Sequence, residues 1–291
     1  MGAVKNQPGL GAPDRLSARY GGVPVIYVES EEDSYVFGEC WFKDRLSHVE
    51  FRPASHQCSF AGCSAVIKAV ADERKTGNAA WGIVDRDAVM SVDMWAVVNE
   101  TSDVAYENSK PFGAEIKALC FWEIENYLAD GDALEHCRAE IKMQPARQSQ
   151  DVYSELLDHC QALVPHAAIN AVCHQHRVKG LPDGYTRRFA TRTEVEAGIL
   201  TEKLAGLPAA AAADYTKHLF HVDAFDLPGA TPATRTKALL RRIHGKALLD
   251  RFSAAHRINI DLKGLLANRI LEMAHVPEEI ALFVDEIAAS N

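Results

Sequence analysis

Apolar positions along the first half of the chain switch repeatedly between two periods. Val23 to Glu29 (VPVIYVE) is a β-branched apolar run, and the DSYVFGECWFKDRL that follows carries apolar residues at helical spacing. His48 to Ser55 alternates like a strand, and Cys63 to Gly77 reads as an amphipathic helix with Ser64 as its cap and Gly77 as its stop. AAWGIVDRD then supplies a third strand. The order β-α-β-α-β, with crossovers of roughly 20–25 residues, predicts parallel strands joined by right-handed connections. The stretch MSVDMWAVVNETSDVAYENSKPFGAE is less regular and has room for another strand or two, while ALCFWEIENYLADGDALEHCRAEI suits a helix or a strand leading into one. From about residue 145 the pattern is helical to the end, punctuated at VPHAA, KGLPDGY, AGLPAAAAA and DLPGATPAT, each expected to break one helix and admit the next. The expected organisation is a flexible N-terminus (residues 1–20), an α/β domain with a mostly parallel sheet and flanking helices (21–140), and a helical C-terminal domain (141–291).

In a parallel sheet, ligands gather at the carboxyl ends of the strands. Glu29 ends the first predicted strand, and Asp85 and Asp87 end the third. If those strands are neighbours, about 4.8 Å apart, three carboxylates from distant positions meet. Such a group raises its own pKa values unless a cation joins it. Mg²⁺, or Mn²⁺ in its place, suits hard oxygen donors and keeps waters and substrate phosphate in its shell. A metal so held polarises a phosphoryl oxygen, and Glu29 is left to move a proton. Taken alone, an Asp-x-Asp after a strand is a common and weak signal that more often marks a strand stopping at the surface. Glu31 and Glu32 fit acids opposing the dipole of a helix first turn.

Composition narrows the picture. A chain of 291 residues with 47% hydrophobic content needs no disulfide or metal to build a core. Its longest apolar runs fall short of the ~20 residues of a membrane helix, and the N-terminus carries no apolar leader segment. Seven scattered cysteines (Cys40, Cys58, Cys63, Cys120, Cys137, Cys160, Cys173) without a CxxC pair fit reduced thiols in a cytoplasm. CHQH, Cys173 to His176, lacks the second pair a structural zinc site uses. The net charge of −9 opposes nucleic acid if spread evenly, yet Thr231 to Leu249 holds no acid. In that strip Arg235, Lys237, Arg241, Arg242 and Lys246 form either a solvated helix face or a phosphate-contacting surface. Trp122 and Tyr127 fit either the core or a base-stacking platform. No GxxxxGK[ST] occurs, so ATP hydrolysis falls to a partner.

VIYVESEEDSYVF, then a strand and a turn into SAVIKAV, then WGIVDRDA, together resemble the TOPRIM domain of topoisomerases, primases and OLD-type nucleases. WEIENYLAD and HGKALLDRF resemble a narrower bacterial branch, in which a TOPRIM-like half is joined to a helical half and works beside an ABC-type ATPase in phage defence. The resemblance implies a Rossmann-like TOPRIM fold. It makes Glu29 the general acid or base, Asp85 and Asp87 the Mg²⁺ ligands, Asp33 an aid to a second ion, and Glu125 a further ligand candidate, with a helix cap or salt bridge as its alternative. It implies a metal-dependent nuclease acting on RNA such as tRNA, or on DNA, restrained by the ATPase and active as a homodimer. The alternative is a non-catalytic module that docks on an ATPase or a nucleic acid. The chain departs from the TOPRIM pattern at Ser30, where many such domains carry Gly.

Overall fold

The computed structural model describes residues 23–56 and 62–290. The first twenty residues and Cys58 lie outside the described residues. Four strands, β1 (Val25–Val28), β2 (Glu50–Pro53), β3 (Ala80–Val84) and β4 (Ile116–Ala118), form one sheet in the order β2-β1-β3-β4. Every pairing is parallel, with Val25 opposite Glu50 and Ala80, and Gly82 opposite Ile116. β1 and β3 are direct neighbours, as the three-acid arrangement requires.

The connections follow the apolar pattern with some departures. β1 leads into α1 (Glu31–Ser34), which widens into a π-helical turn over Tyr35–Trp41, where Phe42 N–H reaches Phe37 O at 2.8 Å. α2 (Cys63–Lys75) crosses from β2 to β3. Its cap position is Gly62, not Ser64, which lies inside the helix. Residues 90–115 contain no strand: Arg86–Val92 coils as a 3-10 turn, then α3 (Trp95–Val98) and α4 (Asp103–Ser109) follow. Ser102 caps α4 by accepting from Ala105 N–H at 3.3 Å, which favours helix over the expected strands.

After β4 come α5 (Ile124–Leu128), α6 (Gly131–Lys142) and α7 (Ser149–Gln175). VPHAA does not break α7: Pro165 sits within its 27 residues. Proline removes one hydrogen bond from such a helix, and here the buried neighbours Leu163, Val164, Ala167 and Ala168 hold the segment in place. The remaining helices are α8 (Arg192–Glu202), α9 (Ala210–Asp223), α10 (Pro232–Leu239), α11 (Gly245–Ala255), α12 (Lys263–Glu272) and α13 (Glu278–Ala289). None of the described helices is long and apolar enough to cross a membrane.

Strand alternation sorts the core. Val25, Tyr27, Ala80, Val84, Ile116 and Ala118 pack on one side with Ala65, Val66 and Ala69 of α2. Ile26, Val28 and Ile83 point the other way and join Leu156, Leu163 and Leu248 of the helical half in one continuous apolar cluster. The helical half therefore covers one face of the sheet, and its loops reach the strand ends.

Candidate metal and phosphate site

Glu29 follows the last residue of β1 and Asp85 the last residue of β3. Because the two strands run side by side in the same direction, both acids emerge at one edge, and Asp85 N–H donates to Glu29 Oε1 at 3.1 Å. Asp87 comes two residues later in the 3-10 turn. Gly62, at φ +69°, brings the start of α2 beside Glu29: a Cβ there would lie 3.4 Å from Glu29 Oε2. Arg86, between the aspartates, turns away. It is fully buried, donates to the carbonyls of Cys120 (2.8 Å), Val98 (3.2 Å) and Glu100 (2.6 Å), and stacks 3.9 Å from the Tyr106 ring.

A second set of charges comes from beyond β4 and from the helical half. Glu123 Oε1 accepts from Lys246 N–H at 2.8 Å, and the Lys246 ammonium lies 3.4 Å from Glu123 Oε2 and 3.8 Å from Glu125 Oε1. Lys263, at the start of α12, reaches Glu125 Oε1 at 2.6 Å and also pairs with Glu32. Asn126 locks this arrangement: its amide donates to Leu240 O and Ile243 O, each at 2.9 Å. Gly245 fits against it so closely that a Cβ would stand 2.5 Å from Asn126 N. The sequence motifs EIEN and HGK are thus two halves of one contact. Asp33 has a different first use, since Ser30 N–H donates to its Oδ2 at 3.0 Å and Asp33 N–H to Ser30 Oγ at 3.1 Å, which caps α1. Ser30, the departure from the TOPRIM pattern, is that cap.

The electrostatics follow from burying like charges together. Burial first, then Asp87 and Asp33, push Glu29 up to about 7 despite the Asp85 amide and Lys246. Asp85 stands well above the carboxylate range through burial, Glu29 and Asp87. Burial also raises Asp87, against Lys246, His174 and Arg242, and raises Asp33. Glu123 rises to about 7 through burial, with Lys246 opposing. Burial disfavours the Lys246 charge, yet Glu123, Glu125, Asp85 and Asp33 together hold its pKa above the ordinary lysine value.

These donors suit a hard divalent cation: they are oxygen ligands, most with raised pKa, and Glu125 Oε2 is buried without a hydrogen-bond partner. Their spacing is wide. Among the described residues only Glu107, Cys120 and Glu279 bring ligand atoms within 4.8 Å of one another. That trio is already served by Lys117, 3.5 Å from Glu107 and 3.1 Å from Glu279. Glu29, Asp85 and Asp87 do not close to that spacing, as expected of like charges that a lysine only partly offsets.

The basic strip is not one solvated face. Arg235 is held by Asp226 with two contacts of 2.7 Å, Arg241 is paired with Asp103, and Arg242 is completely buried over the Trp122 ring. Lys246 turns into the acids, and Lys237 is exposed. As a phosphate-contacting surface this corrects the expectation for Arg235, Arg241 and Arg242: carboxylates spaced apart in sequence neutralise two of them and the core encloses the third. Trp122 and Tyr127 are core residues, and within CHQH, His174 turns to Met90 O while His176 pairs with Asp214. Sequence reasoning missed Glu123, although it shares a motif with Glu125, and Lys263, which carries no local signal. Comparison with known proteins returned no match: no family model fits the chain, and no curated protein and no solved structure is significantly similar to it.

Proposed function

We propose that the chain is a TOPRIM-like, divalent-metal-dependent nuclease that cleaves phosphodiester bonds of nucleic acid. The observation that carries this reading is the placement of Glu29, Asp85 and Asp87 at the carboxyl ends of two adjacent parallel strands, with Asp85 N–H 3.1 Å from Glu29 Oε1. Asp85 and Asp87 would hold Mg²⁺ or Mn²⁺, with Glu29 beside them and Asp33 and Glu125 at the margin. When bound, the ion supplies polarisation of the phosphoryl oxygen and stabilisation of the leaving oxygen. Glu29, at about 7, exchanges a proton with water near neutrality. Lys246, its ammonium held 3.4 Å from Glu123 and 3.8 Å from Glu125, orients a phosphate oxygen. By its resemblance to AriB, the effector nuclease of the PARIS system, the chain acts on tRNA in the cytoplasm as a toxic anti-phage effector. In this reading an ABC-type, AriA-like ATPase restrains it, and it cuts as a homodimer.

The test is incubation of the pure protein with total tRNA, plasmid and single-stranded DNA, with Mg²⁺ or Mn²⁺. Cleavage that vanishes in Glu29→Ala and Asp85→Ala, with the fold intact by circular dichroism, supports the reading, and equal cutting by the variants overturns it. A second reading, a non-catalytic module that docks on an ATPase or a nucleic acid, draws on the lysines already paired with Glu123 and Glu125. It expects no cleavage under any metal and a partner complex that tolerates Glu29→Ala.

A further inference from the structure

Near Asp87 the core holds N–H donors that find no acceptor. Arg242, between α10 and α11, is fully buried, and its Nε, Nη1 and Nη2 all lack a hydrogen-bond partner. Its guanidinium lies 4.3 Å from the centre of the Trp122 ring, whose Nε1–H is likewise unpartnered. Arg86 is tied to the same tryptophan through its main-chain N–H, 3.0 Å from Trp122 O, and its Nε is unpartnered too. A guanidinium keeps its proton in a protein, and a buried charge needs a counter-charge. Burial first, then Arg86, lowers the Arg242 pKa to about 9, with Asp87 opposing, so the group stays charged at neutral pH. Arg86 itself meets three main-chain carbonyls, whereas the Arg242 guanidinium has neither a hydrogen bond nor an ion pair among the described residues.

A water molecule accepting from these groups would satisfy hydrogen bonds and leave the charge. A small anion does both, because it accepts several N–H donors at once and neutralises one guanidinium. Because Arg242 is completely closed off from solvent, a small anion with no solvent-facing end is required, and a halide is the simplest. We propose that Arg242 and the indole N–H of Trp122 form a buried binding site for one halide-sized anion, chloride in the cell.

The experiment compares sodium chloride, bromide and gluconate at equal ionic strength. Wild-type Tm is expected to rise by about 2–4 °C from gluconate to halide, and the rise to vanish in Arg242→Met and shrink in Arg242→Lys. Crystals of the wild-type protein grown in bromide give a check that needs no variant: an anomalous peak within hydrogen-bond distance of Arg242 and Trp122 Nε1. Equal Tm in halide and gluconate, with an ordinary water at that position in the bromide crystals, overturns the site.

Discussion

Replacing Glu29 by Gln removes a charge that the fold is built to disfavour, so it should stabilise the protein at alkaline pH and, if the nuclease reading holds, end cleavage. The carboxyl is displaced from 4.5 to about 7, by burial first and then by Asp87 and Asp33. At about 1.4 kcal/mol per pH unit, that displacement is worth about 3 kcal/mol once the group is ionised. The sign follows from linkage: a folded-state pKa raised above the unfolded value stabilises the fold below about 4.5, and that stability is lost as pH rises through about 7. Gln keeps the shape and the oxygen that accepts Asp85 N–H, and it carries no charge to lose. Thermal melts in a chelator should therefore show Glu29→Gln above wild type by on the order of 5 °C or more at about pH 8, and near wild type at about pH 4.5. A Gln variant that melts below wild type at the alkaline end, or an offset that ignores pH, refutes the claim that Glu29 is held among uncompensated acids.

Divalent metal should act in the same direction by binding those acids. Mg²⁺ or Mn²⁺ is expected to raise the wild-type Tm more at about pH 8 than at about pH 6, and Asp85→Asn should abolish the effect, as a melt series in each ion reads directly. Lys246→Ala removes a cation beside Glu123 and Glu125. It should cost about 1 kcal/mol of stability in urea unfolding and, if the nuclease reading holds, reduce cleavage by about tenfold or more while Lys246→Arg recovers part of it. Gly245→Ala drives a methyl to 2.5 Å from Asn126 N. The expected loss is about 1–3 kcal/mol, and a Tm equal to wild type would contradict the tight contact between the two motifs.

The sheet was legible because its strands obey the simplest rule: short β-branched runs separated by an amphipathic helix must cross over and return parallel. The acids at the ends of β1 and β3 follow from that topology with no further information, since a strand's last residue is fixed by where its apolar run stops. Residues 90–115 were illegible for the opposite reason. Apolar side chains such as Val98 and Tyr106 bury from helices of only four and seven residues, too few turns for helical spacing to stand out over alternation. Pro165 misled because a local breaker signal says nothing about how completely the neighbouring helices enclose a segment.

The basic strip shows where sequence distance hides charge. The strip from Thr231 to Leu249 itself contains no acid, yet Asp226, Asp103 and Glu123 meet Arg235, Arg241 and Lys246 in space. What the strip supplies is one lysine to an acidic centre on the opposite half of the chain, delivered by a loop that Asn126 fastens through two 2.9 Å hydrogen bonds. The helical half is therefore part of the site and not an appendage to it. Any displacement of α11 or α12 moves Lys246 or Lys263 away from Glu123 and Glu125, and the carboxylates left behind must then take up either protons or a metal ion.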